Sequence, residues 1–395
     1  MSESHHLSDP RINEFVEIRH AIHRHPELAF QETRTAELVA GLLEDWGYAV
    51  ERGLGDTGVV GTLRRGNGKR RLGLRADMDA LPIHEASGRP YASAMPGVMH
   101  ACGHDGHTAM LLAAAKRLAR DVAFSGTLHL IFQPAEEGAG GALRMIRQGL
   151  FDRHPCDAIF AMHNMPGIAQ GHLVLRDGPM MASSDTATIQ IEGHGGHGAM
   201  PHRANDPVVA AASLVLALQT IVARNVDPLD SAVVTVGTLH SGTARNVIPT
   251  QATLELSVRA LRAEVRGLLK RRIEELVRGH AQSFGLQMRL DWAEGYIALV
   301  NDAAQTDFAR SVALELLGPE KVTLQGGALT GSEDFSFMLD RVPGSYLLIG
   351  NGEGSEAEPA CMVHNPGYDF NDANIAVGAD YWVLLATRFL QDTAA

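Results

Sequence analysis

TLHLIFQPAEEG, residues 127–138, is an apolar, strand-like run that ends directly in two adjacent carboxylates. The run alternates in polarity from Thr127 to Phe132, and a helical pattern over His107 to Ala119 precedes it. Such interleaving of strands and helices is typical of an α/β domain, in which ligands bind beyond the carboxyl ends of the strands. Two other apolar runs also end in polar residues: Leu72 to Ala76 before Asp77 and Asp79, and Ala158 to Met162 before His163.

The pattern changes near residue 185 and changes back near residue 295, which indicates an inserted unit. At 395 residues the chain is longer than one hydrophobic core usually supports. We therefore predict an α/β domain over residues 1–184 and 296–395, interrupted by a smaller α+β domain over residues 185–295. The order strand, helix, two strands, helix, strand favours a compact α+β unit, with its elements at 188–192, 206–223, 232–239, 252–258, 263–284 and 286–292.

Composition excludes several classes of protein. The formal net charge is −12 and no dense basic cluster occurs, so we expect no nucleic-acid partner. The most apolar stretch, Val208 to Leu218, is too short to span a bilayer, which predicts no membrane partner. Residues 1–10 carry no basic region followed by an apolar core, which predicts no signal peptide. Three scattered cysteines point to a reducing compartment, and we predict a cytoplasmic protein.

The segment from Met99 to His107, MHACGHDGH, holds three histidines, a cysteine and an aspartate. A thiolate at Cys102 and an imidazole at His104 can reach one metal ion or two adjacent ions, and Gly103 lets the backbone turn tightly between them. The alternative is a polar loop before a helix, in which His104 or His107 substitutes for a helix cap.

Glu136 and Glu137 would repel each other unless one of them binds a metal ion, and the other would then be free to act as a base. Metal-assisted amide hydrolysis needs this division of roles. A solvated acidic turn is the alternative. His163 and His364, each unremarkable alone, complete a set of ligands sufficient for two ions and a water. Nucleophilic catalysis by Cys102 with a histidine is a further alternative, but it leaves the glutamate pair and His364 without a role.

With these motifs in this order, the chain resembles the acyl-amino-acid amidohydrolase branch of the di-metal exopeptidases, which includes hippurate hydrolases, bacterial aminoacylase-type enzymes and plant auxin-conjugate hydrolases. The resemblance implies a catalytic domain interrupted by a lid domain that also serves for dimerisation. It further implies Glu136 as the general base and Asp79 as a carboxylate that steers a ligand. In more distant relatives a histidine ligand stands at the position of Asp77 and a bridging aspartate at that of Cys102, so the sharing of ligands differs here and Asp77 stays outside the ligand set. The implied metal ligands are Cys102, His104, Glu137, His163 and His364.

In the inserted unit, the loop Gly193 to Gly198 also matches a dinucleotide-binding fingerprint, but no helix opens where that motif requires one. The resemblance instead implies that His197 stabilises the oxyanion and that Asn246 and Arg259 hold the substrate. The alternative for Arg259 is an ordinary surface salt bridge. The apolar helix over Val208 to Leu218 is expected to be buried within this domain or against another subunit, and we predict a homodimer or homotetramer.

The predicted activity is hydrolysis of the amide bond of N-acyl amino acids, such as hippurate or N-acetyl amino acids. The rival enzymes on the same scaffold are a dipeptidase and an N-carbamoyl amino acid hydrolase. The rival of another class is a non-catalytic protein that binds metal or ligand. Two divalent ions per subunit are predicted, with zinc or manganese favoured and cobalt or nickel also compatible with these ligands.

Overall fold

The computed structural model describes residues 10–355 and 360–391. The prediction of no signal peptide concerns the first ten residues, of which 1–9 lie outside the described part of the chain. The chain forms two compact units. The first comprises Met1–Gly178, Val300–Gly327 and Phe337–Ala395, and the second comprises Pro179–Leu299 and Ala328–Ser336.

Strands and helices are interspersed along the chain. The strands are β1 (Ala49–Leu54), β2 (Gly58–Arg65), β3 (Arg71–Asp77), β4 (Gly126–Gln133), β5 (Ala158–Pro166), β6 (Leu173–Val174), β7 (Gly178–Met181), β8 (Ser183–Glu192), β9 (Gly196–His197), β10 (Ala232–Ser241), β11 (Val247–Ile248), β12 (Gln251–Ala260), β13 (Gln287–Glu294), β14 (Leu299–Asn301), β15 (Val322–Thr323) and β16 (Gly344–Gly352). The α-helices are α1 (Pro10–Arg24), α2 (Thr33–Asp45), α3 (His104–Arg120), α4 (Gly141–Arg147), α5 (Leu150–Arg153), α6 (Pro207–Asn225), α7 (Ala263–Phe284), α8 (Ala303–Leu317), α9 (Ser336–Leu339) and α10 (Ala373–Leu390). Short 3₁₀ helices lie at Pro201–Arg203 and Pro319–Lys321.

The first unit is built on an eight-stranded sheet with the order β1-β2-β4-β3-β5-β16-β6-β15. Strand β3 runs parallel to β4 and β5, and Asp77 pairs in register with Gln133. Side chains along β3, β4 and β5 are buried almost without interruption, as expected for parallel strands covered on both faces. The carboxyl ends of these strands therefore meet at one edge of the sheet, and the predicted α/β class is confirmed.

Two element boundaries near this edge differ from the sequence prediction. The helix predicted from His107 begins at His104, because Gly103 takes a left-handed conformation with φ 87° and turns the chain into the helix. The strand predicted to end at His163 continues to Pro166, because β16 pairs with it in parallel up to that residue. His163 consequently lies within β5.

The second unit is an antiparallel sheet with the order β10-β12-β8-β13, against which α6 and α7 pack. Its strands and helices follow the predicted order, and α7 has the predicted bounds. The predicted insert, residues 185–295, lies within this unit. The unit also contains residues 328–336, because the backbone N–H of Ala182 donates to the carbonyl oxygens of Leu329 and Gly331 at 3.1 and 2.8 Å.

Helix α6 is longer than the apolar stretch on which the prediction of no membrane partner was based. By length and composition alone it is able to cross a membrane. Its residues Ala210, Leu214 and Leu218 are buried, as in the core helix of an α+β unit, whereas Val209 and Leu216 are 54% and 73% exposed. The apolar surface of α6 is therefore only partly covered within one chain.

Candidate metal centre

The polar residues predicted to form the site come together at the carboxyl edge of the first unit's sheet. Glu136 and Glu137 follow β4, and Cys102 and His104 lie at the start of α3. His364 belongs to a turn far along the chain, where its φ is 65° and its backbone N–H donates to the carbonyl oxygen of Ala101 at 2.7 Å. That hydrogen bond fastens the distant turn to the segment that carries Cys102.

Two groups of candidate ligand atoms share the Cys102 sulfur. The ligand atoms of Cys102, His104 and His163 lie within 4.8 Å of one another, as do those of Cys102, Glu137 and His364. The Cys102 Sγ is 3.4 Å from the His163 Nε2, and the Glu137 Oε1 is 3.2 Å from the His364 Nε2. A third group of the same compactness contains Glu136 with His104 and Glu137, which places the second carboxylate beside the first two groups.

Hydrogen bonds fix which nitrogen of each buried histidine faces these groups. The Nδ1 of His104 lies 3.2 Å from the Asp79 Oδ1, so Nδ1–H donates to the carboxylate and Nε2 faces the other candidate ligand atoms. The Nδ1 of His163 lies 2.6 Å from the carbonyl oxygen of Asn164, so Nδ1–H donates there and Nε2 faces the Cys102 sulfur. Asp79 also accepts the backbone N–H of Glu137 at 2.9 Å. One carboxylate thus orients two candidate ligands.

Buried atoms without hydrogen-bond partners indicate that the site is built for a cation. Within the described residues, the His104 Nε2 and the Glu137 Oε1 are buried and have no hydrogen-bond partner, and the His364 Nε2 lies 3.2 Å from the Glu137 Oε1 as an ion-pair contact. Each such atom costs about 1–3 kcal/mol when it is left unpaired. Thiolate, imidazole and carboxylate together suit a divalent ion of borderline softness. The residues present therefore fit a divalent metal ion.

The electrostatics of the ligands favour a cation as well. Burial raises the pKa of the Cys102 thiol well above its usual value, and the nearby carboxylates of Glu137 and Glu136 raise it further. Burial opposes charging of the His104 imidazole, but Asp77 and Asp79 outweigh it and raise its pKa to about 10. Both shifts reflect the negative charge of the surrounding carboxylates, which favours a cation, and binding of a metal ion would release protons from the thiol and the imidazole.

Three predicted site residues lie in the second unit. His197 and Asn246 are neighbours, since the backbone N–H of Gly198 donates to the Asn246 carbonyl oxygen at 2.8 Å, and both line an open pocket of about 820 Å³. Arg259 on β12 is not among the residues that line this pocket. Its guanidinium donates to the hydroxyls of Ser332 and Ser257 at 3.0 and 3.4 Å, and no carboxylate of the described residues lies within ion-pair distance of it. The predicted alternative of an ordinary salt bridge is therefore wrong within the described part of the chain.

Residues that support the site were not singled out from the sequence. Asn164, which follows His163, is fully buried and donates from Nδ2 to the Cys102 carbonyl oxygen at 2.6 Å. The Tyr368 hydroxyl donates to the Asn164 Oδ1 at 2.7 Å. The only sequence signal for Asn164 is its place beside a candidate ligand, and Tyr368 gives none.

Comparison with known proteins places this geometry in a family. The model of peptidase family M20/M25/M40 matches residues 73–388. A hippurate hydrolase of Campylobacter jejuni is 46% identical over 378 residues, which are 96% of this chain and 97% of that protein. An N-acetyl-L-cysteine deacetylase of Bacillus subtilis is 37% identical over 96% of this chain and 89% of its own length. The Bacillus subtilis YXEP protein, a dinuclear metal binding peptidase from the M20 family, superposes with a TM-score of 0.82 at 32% identity, covering 96% of this chain and 98% of that one.

Proposed function

Because the chain belongs to peptidase family M20/M25/M40, we propose that it hydrolyses the amide bond of N-acyl amino acids with the help of two divalent metal ions. The observation that carries the proposal is the Cys102 sulfur shared by two compact groups of ligand atoms. The names of the relatives give the substrate class, since hippurate and N-acetyl-L-cysteine are both N-acyl amino acids. The dinuclear site of a structural relative agrees with two ions.

The ligands divide between the two ions according to these groups. Cys102, His104 and His163 hold one ion, and Cys102, Glu137 and His364 hold the other. In each histidine the nitrogen offered is Nε2. For His104 and His163 the other nitrogen is already engaged by an acceptor, as is usual for histidines that bind metals.

Glu136 serves as the general base and acid. When bound, divalent ions polarise a carbonyl group and lower the pKa of water. Glu136 takes a proton from the attacking water and passes it to the leaving amine nitrogen. Its carboxylate is suited to this role because it is buried and lies next to Glu137 without being one of the five ligands.

Three residues of the second unit bind the substrate. Arg259 binds the α-carboxylate of the amino acid in a bidentate manner, since its guanidinium has hydroxyl partners and no acidic one in the described chain. Asn246 holds the substrate, and His197 stabilises the oxyanion that forms from the acyl carbonyl. An Arg259→Gln variant should raise KM for an N-acyl amino acid with a free α-carboxylate. It should leave hydrolysis of the acyl bond unchanged in the same compound when its α-carboxylate is amidated.

Parallel assays test the activity itself. The protein is reconstituted with one metal at a time and incubated with hippurate, an N-acetyl amino acid, an N-carbamoyl amino acid and a dipeptide. We expect hydrolysis of the first two, and preferential hydrolysis of the carbamoyl compound or the dipeptide contradicts the proposed substrate class. Glu136→Gln should keep two ions and lose about 10²–10⁴-fold in turnover. Glu137→Gln, the matched control, should lose metal as well as turnover, and unchanged turnover of metal-loaded Glu136→Gln refutes the mechanism.

Zinc or manganese is the proposed metal. The thiolate of Cys102 favours zinc because both are relatively soft, whereas imidazole and carboxylate ligands also accept manganese, cobalt or nickel. Elemental analysis of protein purified without added ions, followed by reconstitution with each metal, decides between them. Iron or copper as the metal that restores activity would contradict the choice.

A homodimer or homotetramer is the proposed assembly. Val209 and Leu216 expose apolar surface on α6, and β10 is an edge strand of the same unit's sheet that contacts this helix. A second copy of the chain would cover this surface. Sedimentation should give a dimer or tetramer, and Leu216→Lys should shift it towards the monomer. Wild-type protein that sediments only as a monomer refutes the assembly.

The cytoplasm is the proposed location. The three cysteines all lie within the described residues and form no disulfide, and Cys102 must stay reduced to act as a thiolate ligand. Fractionation of cells with an antibody against the chain tests this, and recovery outside the cytoplasm would contradict it.

A further inference from the structure

We infer that Asp77 and His107 position the metal ligands and bind no metal themselves, within a buried chain of hydrogen bonds that runs from Arg75 to the Cys102 turn. This inference rests on the metal site of the proposed function. It is not obvious from proximity, because the ligand atoms of Asp77, His104 and His107 also lie within 4.8 Å of one another. The directions of the hydrogen bonds distinguish positioning from coordination.

This chain of hydrogen bonds begins at the Arg75 guanidinium, a group that only donates. Arg75 is 1% exposed, and its Nη1 donates to the Asp77 Oδ2 at 2.6 Å while its Nε donates to the Gln133 Oε1 at 2.8 Å. Asp77 is therefore the ionised acceptor of a buried ion pair. A cation bound to Asp77 would lie close to the guanidinium charge in a fully buried region of low dielectric constant, where like charges repel strongly.

The chain continues through His107, whose two ring nitrogens are both engaged. Its Nδ1 is 2.6 Å from the Asp77 Oδ1 and donates to it, because that carboxylate accepts. Its Nε2 lies 2.9 Å from the backbone nitrogen of Asn164, which is able only to donate. Arg75 and the Asn164 backbone N–H are able only to donate, so the hydrogen bonds at the two ends of this series determine where the His107 ring carries its proton. His107 is held as the neutral tautomer with hydrogen on Nδ1, and no ring nitrogen remains for a metal ion.

The far end of the chain reaches two proposed ligands. The Asn164 side chain donates to the Cys102 carbonyl oxygen at 2.6 Å and accepts from the Tyr368 hydroxyl at 2.7 Å. Asn164 is also the residue after His163 in β5. Asp77, His107 and Asn164 are at most 1% exposed, so none of these side chains is able to replace a lost hydrogen bond by rotating towards solvent. Its effect is to hold the sulfur of Cys102 and the ring of His163 at a fixed separation.

The test is Asp77→Asn, which replaces an acceptor of two hydrogen bonds by a group that must donate to one of its neighbours. Titration with Zn²⁺ alone should still give two ions per chain, with a dissociation constant raised about 10–100-fold, as for other groups that orient metal ligands. A drop to one ion per chain would make Asp77 a ligand and overturn the inference. Thr108→Val is the matched control, because the Thr108 hydroxyl donates to the Asp77 backbone oxygen at 3.0 Å and leaves the carboxylate untouched. Equal weakening in both variants would attribute the effect to packing and would also overturn it.

A measurement on unmutated protein keeps the test decisive if Asp77→Asn does not fold. Long-range ¹H–¹⁵N spectra of histidine-labelled, metal-free protein, with the His107 signal assigned through His107→Gln, should show the tautomer protonated on Nδ1. Zn²⁺ should shift the ring nitrogens of His104 and His163 and leave those of His107 in place. A His107 nitrogen that shifts to a metal-bound value refutes the inference. Absence of Zn²⁺ binding would instead refute the proposed function, while the tautomer is still read from the metal-free protein.

Discussion

Replacing Gly103 by alanine should destabilise the first unit in two separable ways. Gly103 has φ 87°, a left-handed conformation that costs an L-residue with a side chain about 1–2 kcal/mol. A Cβ at this position would lie 2.4 Å from the Asn164 Nδ2 and 2.5 Å from the Tyr368 Oη. Both neighbours are fully buried and hydrogen-bonded to each other, so they have no room to move aside.

The overlap should add about 1–3 kcal/mol, the usual cost of overpacking a close-packed core, for a total of about 2–5 kcal/mol. Gly47 provides a matched control, because its φ is 89° and a Cβ there would meet no atom within 4 Å. Gly47→Ala should therefore show only the backbone cost. Both positions lie in the first unit, so they affect the same unfolding transition.

Urea unfolding of the metal-free protein measures the difference between the two variants. A Trp292→Phe background removes the tryptophan of the second unit, so fluorescence then reports Trp46 and Trp382 of the first. The free energy of unfolding should be about 1–3 kcal/mol lower for Gly103→Ala than for Gly47→Ala, at unchanged denaturant dependence. Equal losses in the two variants would refute the close packing of Gly103 against Asn164 and Tyr368.

Three further predictions concern single side chains. Asp79→Asn should weaken Zn²⁺ binding about 10–100-fold in calorimetric titration, because Asp79 orients two proposed ligands, and unchanged affinity would contradict that role. Cys102→Ser should weaken zinc binding more than manganese binding in a competition titration, because it replaces a soft sulfur by a hard oxygen, and equal loss for both metals would count against thiolate ligation. Burial opposes charging of His23, but Asp105 and Glu85 raise its pKa from 6.5 to about 9, so the folded state holds this proton more tightly than the unfolded state. That stabilisation, on the order of 3 kcal/mol, should be fully present below pH 6.5 and lost as the pH rises through 9. The difference in unfolding free energy between wild type and His23→Gln should therefore shrink over that range. A difference that stays constant with pH would contradict the prediction.

The fold class was predictable because its signals are local. Apolar runs that end in Asp77, Glu136 and His163 indicate strands whose carboxyl ends bear polar residues, and parallel pairing brings those ends together. The extent of β5 was not predictable in the same way, because its last residues take an extended conformation only through pairing with β16. The inclusion of residues 328–336 in the second unit likewise depends on hydrogen bonds to Ala182, far away in sequence.

The candidate ligands were easier to predict from the sequence than the residues that hold them. A cysteine, a histidine or a pair of glutamates indicates metal chemistry by its type, whereas an asparagine or a tyrosine does not. Tyr368 contacts Asn164 across 204 positions of sequence, and only the fold brings them together. The role of Asp77 was also not predictable from the sequence, because a carboxylate is by type a good metal ligand. Only the structure shows that this carboxylate accepts a hydrogen bond from the buried Arg75 guanidinium.

The two groups of proposed ligands differ in how firmly the protein holds them, and this difference bears on how the two ions would behave. Cys102, His104 and His163 are each less than 9% exposed, and each of them takes part in a buried hydrogen bond. The side chain of His364 is 51% exposed and sits on a left-handed turn that is held by backbone hydrogen bonds from His364 to Ala101 and from Ala86 to Pro366. Side chains that reach water lose more conformational freedom when they bind a ligand, so an ion held with His364 would gain less net affinity. On the proposed division of ligands, the ion beside Glu137 would therefore be the one that exchanges more readily.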